Sequence, residues 1–409
     1  MRSKVENLID YLIVIMFVLS SKTVFFGLFY ARQTYLVMFV LLIGVLLVRK
    51  KSFQTIKSNF MLTASVIFLM IVQMLMNIDS LNPAYINTAI VSYSPFVFSL
   101  ILCMFMGKAS YSSKYTDIMS VIAVYSIICF IIACFFPAVA WAISTRTAFN
   151  NAVYNISPLY TWGWSSHIFA RNSGPFWEPG AYQGFLVLAI LCLLFDRNNS
   201  VKMRKTKLLL FFGTILTTAS TTGYILLIVI LVFYNKKIES LFIQSGKKKH
   251  KNLYKAATLI IVAGVLGYIL VSGNIGDKFS ENSVSGLIRR RDLSTSFILV
   301  FDKPLLGYGF TPARILREME IGVTNNSVGL ASLLYTCGIP FGILYLYFLN
   351  RGIRDFFMPE SRLEYFILLF IFLILHSTEG IWWLPAYVVL LYKHTDKKEK
   401  TRFNNELLQ

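Results

Sequence analysis

Long apolar runs broken by short polar interruptions dominate the chain. Runs of about 20 residues can cross a hydrocarbon core about 30 Å thick as helices. The pattern predicts spans near 8–30, 34–48, 59–77, 84–106, 116–141, 176–195, 208–218, 220–234, 255–272, 328–349, 363–377 and 380–392. Backbone groups in lipid must pair within their own segment, so the expected architecture is an all-α polytopic bundle of about twelve transmembrane helices. It forms a single integral membrane domain over 1–409, ending in a tail at 393–409. No small-residue cleavage site follows the first span, which reads as an anchor and not as a removed signal peptide.

Composition agrees. Hydrophobic residues make up 56% of the chain and charged residues 14%, with a mean hydropathy of +0.62; a soluble domain carries roughly 25% charged residues. The net charge of +19 suggests a nucleic-acid binder until its distribution is read. Lys and Arg collect at Arg49–Lys51, Arg197–Lys207, Lys247–Lys249 and Lys393–Arg402, in every second loop. That is the positive-inside pattern of a membrane protein, and no nucleic-acid partner is expected. It also splits the run Leu208–Tyr234 into two short helices meeting at the polar turn Thr217–Gly223, because basic residues flank both ends. Both termini then lie inside.

Two long loops, about 142–175 and 273–327, face outward on this topology. Both are rich in Asn, Ser, Gly, Arg and aromatic residues, and loops of that length are often functional. The five cysteines all fall within spans with no CxxC pair, and the four histidines are scattered. Neither a disulfide nor a metal site is indicated, and no cofactor is expected.

The outward polar inventory supplies the candidates. Arg171 and Glu178 bracket the entrance to the sixth span. A carboxylate there can favour the helix N-terminus, or serve as a general base in a low-dielectric pocket. Arg289, Arg290 and Arg291, followed by Asp292, run against the positive-inside trend. They read either as a solvated, ion-paired loop or as a phosphate site, which suits the guanidinium fork. Gly307 and Gly309 around Tyr308 predict a tight turn that brings backbone close to a ligand or another helix. Asn325 and Asn326 divide between helix capping and substrate binding. His376 and Glu379 sit with Trp382 and Trp383 at the outer end of the last hairpin, where tryptophans are ordinary anchors. Lys22 and Arg32 fall near outer membrane positions and read as snorkelling side chains before phosphate ligands.

In order, these features resemble the O-antigen polymerase (Wzy-type) family, a relative of the O-antigen ligases. The features are Arg-x-x-Gly-x-Phe-x-Glu-Pro-Gly at Arg171–Gly180, the Ser/Thr-Gly turn at Thr217–Gly223, Arg-Asp then Pro-Leu-Leu-Gly-Tyr-Gly at Arg291–Gly309, and Asn-Asn-Ser leading into Cys-Gly-Ile-Pro at Asn325–Pro340. The likeness covers roughly 165–350, with matching hydropathy elsewhere. It implies a GT-C-like membrane glycosyltransferase of polysaccharide biosynthesis (O-antigen or capsule) at the outer face of the bacterial cytoplasmic membrane. Its partner would be an undecaprenyl-pyrophosphate-linked oligosaccharide in membrane lipid, with a flippase and a chain-length regulator in the same pathway. Ligases usually carry a His before the Asn at the start of the span near 328. Thr324 stands there in this chain, which favours polymerase over ligase.

The chemistry expected is metal-independent. Arg289–Arg291, with Arg171, would stabilise the leaving pyrophosphate. Glu178, or second Asp292, would assist the attacking hydroxyl. Tyr308, Asn325, Asn326, His376 and Glu379 would contact substrate. A flippase is the main rival from another class, but it would more often show mid-span charges, related halves and short outer loops. A non-catalytic assembly component is a further rival and would leave the outer charges without work.

Overall fold

A computed structural model describes residues 4–49, 53–78, 83–149, 152–163, 171–196, 201–242, 263–264, 266–267, 284–322 and 328–394, with backbone only for 53–56, 149, 152 and 284–290. The expected ninth span, 255–272, falls almost wholly outside the described residues.

The chain opens with α1 (Lys4–Leu19), a π-helical turn (Val24–Phe29), α2 (Ala31–Val48), α3 (Phe53–Met76), α4 (Pro83–Phe105), α5 (Lys108–Phe135) and α6 (Pro137–Ala142). A small sheet follows: β1 (Thr145–Phe149), β2 (Ala152–Ser157) and β3 (Tyr160–Gly163), antiparallel in the order β1-β2-β3. Then come α7 (Pro179–Phe195), α8 (Val201–Thr217), α9 (Thr221–Phe233), α10 (Asn235–Phe242), α11 (Val284–Asp302), α12 (Pro312–Glu320), α13 (Gly329–Cys337), α14 (Ile339–Phe357), α15 (Arg362–Thr378) and α16 (Pro385–Val388), which runs into a 3₁₀ turn at Val389–Leu391.

Among the described residues, four helices are apolar and long enough to cross a membrane: Ala31–Val48, Lys57–Met76, Pro83–Phe105 and Lys108–Phe135. The protein is membrane-embedded. Exposed side chains on α2, α3 and α5, such as Val40, Phe68 and Val121, are apolar and suit lipid. By contrast α7 is buried at every residue from Ala181 to Leu194, as expected of a helix apolar all round. It is the axis of the bundle, packed against α5, α8, α9 and α14.

Several expectations change. The bundle is not all-α, because the first long loop folds into the sheet. There Tyr160 and Trp162 are buried against Cys129 and Ala133 of α5. Where it is described, the second long loop forms α11 and α12 with the irregular stretch 303–311 between them. Asp292, Ser296, Leu299 and Val300 of α11 are buried, while Leu293, Phe297 and Phe301 are exposed. That 3.6-residue stripe was hidden behind the run of arginines. The first predicted span stops at Leu19, and the span at 328–349 breaks at Gly338 (φ +83°). The segment 380–392 forms one short α-helical turn and a 3₁₀ turn and not a full span, yet it is buried from Ile381 through Tyr392 except at the half-buried Trp383.

Irregular backbone at membrane depth is tolerated only when protein satisfies it. For 380–394 the partners are specific. Ser21 Oγ accepts from Ala386 N–H (3.1 Å), Tyr111 donates to Ala386 C=O (3.3 Å), and Asn59 bonds both backbone groups of Lys393 (2.9 Å each). The Pro304–Phe310 loop is held in the same way. Tyr308 and Gly309 N–H donate to the carbonyls of Tyr335 and Thr336, and Gln73 Nε2 donates to those of Leu306 and Thr336. The two glycines therefore bring the loop against a helix, the second of the alternatives their spacing allowed.

Ion pairs fasten the end of the bundle remote from the α7 N-terminus. Arg49 and Lys114 meet the buried Asp10, at 2.5 and 4.0 Å. Lys207 pairs with Asp117, and Lys237 with Glu364 at 3.2 Å. This is the basic end of the molecule.

Gly307 has φ +64°, and a Cβ there would overlap the Thr336 carbonyl. Gly307→Ala is therefore expected to lower the thermal midpoint of the detergent-solubilised protein by several degrees. Gly213→Ala in α8, where a Cβ meets nothing within 4 Å, should be neutral or stabilising by about 0.5–1 kcal/mol. Equal effects of the two would refute this account of the loop.

Candidate functional site

Four charged side chains from four distant stretches meet at the N-terminal end of α7. Glu178 occupies the N-cap of that helix, but its side chain makes no capping bond. It accepts a hydrogen bond from the Trp177 indole instead (2.9 Å). Gly180, the second residue of α7, lies between two carboxylates. A Cβ there would collide with the Glu379 carboxylate, and the Glu178 carboxyl carbon is 3.9 Å from the same point. Glu379 reaches this position because it ends α15, whose last turn presses on Gly329 so closely that no Cβ fits between them.

Lys22 faces these carboxylates from the turn that follows α1, outside the helical spans. Its backbone is left-handed (φ +58°), a conformation that costs a non-glycine residue roughly 1–2 kcal/mol. The neighbours impose it. Val24 N–H donates to Pro175 C=O (2.8 Å), Thr23 forms a β-bridge with Phe176, and Ser21 is bonded to Phe17 C=O (2.6 Å). The ammonium lies over the rings of Trp383 (4.5 Å) and Trp177 (5.5 Å). Trp177 thus offers its negative face to the cation and its N–H edge to the carboxylate. Enclosure pulls Lys22 below the ordinary lysine value, to about 8; Arg314 adds to the pull, while Glu178 and Glu379 oppose it.

Arg314 is the second cation. It projects from α12, which starts at the N-cap Thr311, whose hydroxyl accepts from Arg314 N–H (3.2 Å). Its guanidinium stacks on Phe310 (5.3 Å) and pairs with Glu318 at 3.6 Å. Its Nη1 donates to Thr336 Oγ1 (3.5 Å), while its buried Nε–H has no hydrogen-bond partner among the described residues, an arrangement native proteins rarely leave unexplained. Phe310 stacks in turn on Trp382 (6.1 Å) and meets Trp383 edge-on (6.0 Å). An aromatic column therefore links the two cations. Tyr154 of β2 completes the surround: burial pushes its hydroxyl pKa up, and Glu178 adds to that shift.

Of the residues singled out from sequence, Glu178 and Glu379 are brought together here. Arg171 goes elsewhere: its Nε donates to Thr218 C=O at the end of α8 (3.2 Å). The buried Asn172 beside it donates to Thr217 Oγ1 (2.9 Å) and Ser126 Oγ (3.2 Å), and accepts from Gly174 N–H (2.9 Å). This pair satisfies the carbonyls that a helix C-terminus leaves open. Tyr308 bonds Asp302 (3.1 Å), which also holds Arg317 (3.0 Å). His376 is buried, with Nδ1 on Phe372 C=O (2.8 Å) and Nε2 on Tyr345 OH (3.0 Å). A carbonyl only accepts, so Nδ1 carries the proton.

Asp292 is buried on α11, and it shares Tyr335 as a neighbour with Arg314 and Glu318. Arg291 is exposed beside it. Arg289 and Arg290 lie on α11 with side chains outside the description, and Asn325 and Asn326 lie outside the described residues altogether.

Sequence reading missed Arg314 and took Lys22 for a snorkelling residue. The signal for Arg314 was present in Thr311-Pro312, an N-cap and first-turn proline that announce a helix. No group of three or more potential metal ligands occurs among the described residues. Compared with known protein families and with characterised proteins, the chain matches none.

Asn172→Ala strands several buried partners, each costing about 1–3 kcal/mol, whereas Arg171→Ala removes an exposed side chain. The first is expected to lower the thermal midpoint clearly more than the second. The reverse order would show that Arg171, and not Asn172, holds the α8–α9 turn.

Proposed function

We propose that the chain is a membrane glycosyltransferase of the O-antigen polymerase type, and that Lys22, Arg314, Glu178 and Glu379 form its reaction centre. One observation carries the reading: two carboxylates and two cations from four stretches of chain gather among aromatic side chains at the end of a buried apolar helix. Charges in such a place are costly without a task. The order of motifs from Arg171 to Pro340 supports the same class.

In the reaction proposed, a hydroxyl at the non-reducing end of one lipid-linked repeat attacks the anomeric carbon of another. A new C–O bond forms, and the bond to undecaprenyl pyrophosphate breaks with its electron pair passing to the phosphate oxygen. Glu178 takes the hydroxyl proton, and Glu379 shares the charge and orients the acceptor. Lys22 and Arg314 stabilise the negative charge that grows on the leaving pyrophosphate. Fixed cations in a water-poor site do this most effectively. They take over the task expected of Arg171 and Arg289–Arg291, and Asp292 is the reserve carboxylate behind Arg314. The centre faces outward on a topology of about twelve crossings with both termini in the cytoplasm.

The test is an assay of the purified protein with an undecaprenyl-pyrophosphate oligosaccharide repeat, with EDTA present. A ladder spaced by one repeat is expected. Glu178→Gln, Lys22→Met and Arg314→Gln should each reduce it by at least about 100-fold, the size of loss seen when one transition-state donor is removed. Lys22 is charged below its pKa, so the rate should fall as pH rises through about 8, and Lys22→Arg should abolish that fall. Transport of the lipid-linked repeat across liposomes without a ladder would replace the enzyme reading with a flippase.

A further inference from the structure

A cavity of about 110 Å³ opens at the basic end, between the start of α5, the end of α14 and residues 392–394. It has room for several water molecules. Lys108, Arg354, Asp355, Tyr392, Lys393 and His394 are among its walls. It lies far from the carboxylates described above: α15 begins beside it and reaches Glu379 only after 17 residues, about 25 Å of helix.

The walls are fixed in place. Gly352 lets α14 approach the Leu390 carbonyl so closely that no Cβ fits. Asn59 clamps both backbone groups of Lys393, which sets where that side chain starts. Lys108 Nζ donates to Asp355 C=O (3.1 Å) and contacts Met358 Sδ (3.1 Å). His394 Nδ1 lies 3.2 Å from Met106 C=O.

Among the described residues the wall holds one carboxylate, Asp355, which Arg351 engages at 3.7 Å. Arg354 lies over the Tyr365 ring (5.1 Å) and pairs with no carboxylate among the described residues. Three basic side chains, Lys108, Arg354 and Lys393, border one polar cavity. Their repulsion favours an anion between them, and a guanidinium fork with two ammoniums suits a tetrahedral phosphate.

We propose that this cavity is a phosphate site, taking the phosphate of an anionic phospholipid headgroup or of a soluble phosphate ester. The full chain would be titrated with phosphatidylglycerol in phosphatidylcholine nanodiscs and, separately, with inorganic phosphate in detergent. Binding would be read as a shift in thermal midpoint. The double variant Arg354→Gln/Lys393→Gln is compared with Lys202→Gln/Lys236→Gln, which removes the same charge from exposed positions at the same end.

The cavity variant is expected to lose at least 5-fold in affinity while the control keeps it. Binding of phosphatidylglycerol alone identifies the headgroup as source, and binding of inorganic phosphate identifies a soluble ester. The proposal is overturned if neither probe binds, if the cavity variant binds as wild type does, or if the control loses as much. Should the double variant not fold, Lys393→Gln alone is read in the same way, with at least a 3-fold loss expected.

Discussion

Backbone polarity inside an apolar slab is the constraint from which the rest of this structure follows. Helices answer it within themselves, but this bundle also buries stretches that are not helical. The Pro304–Phe310 loop, the break at Gly338 and the segment 380–394 all need external partners. Gln73, Asn59 and Tyr111 supply them from the flanking helices, and Ser21 from the turn after α1. Glycines at 307, 338 and 352 supply the close approach. These buried polar side chains resemble a catalytic inventory, yet their work is architectural.

The same constraint separates the two kinds of charge at the other end. Arg171 is taken up by the open carbonyls where α8 ends, so its charge serves the fold. Arg314 is held instead by Thr336 Oγ1 (3.5 Å), Glu318 (3.6 Å) and the Phe310 ring, and Lys22 by the faces of Trp383 and Trp177, an arrangement that leaves much of each charge on aromatic surface. Among the described residues the Glu178 side chain accepts one hydrogen bond, from the Trp177 indole. A carboxylate held by one hydrogen bond can exchange that contact for a ligand's at little cost.

Much of this was legible in the chain, and the failures have physical causes. Span periodicity located the apolar helices, and the Thr217–Gly223 turn marked the break between α8 and α9. Glu178 stood out as a carboxylate at the entrance to an apolar span, and Glu379 as one at the outer end of the last hairpin. The sheet escaped notice because Thr145–Gly163 alternates only weakly and gains its core from α5. The arginine run drew attention from the apolar stripe behind it on α11. Lys22 was placed near the outer face but read as a snorkelling side chain, since its contacts depend on a left-handed residue fixed by Pro175 and Phe176, some 150 residues later.

The segment 380–394 has a consequence for assembly of the protein during synthesis. It is made after every element it threads: Ser21 on one side, Tyr111 and Asn59 on others, and Gly352 pressed against Leu390. Until it arrives, the groove among those helices stays open and their polar groups wait in the membrane without these partners. The ribosome therefore delivers the keystone after the arch, along with Glu379 and Trp383. A nascent chain halted before that point would hold most of the bundle's helices but neither its closed interior nor the full charged cluster.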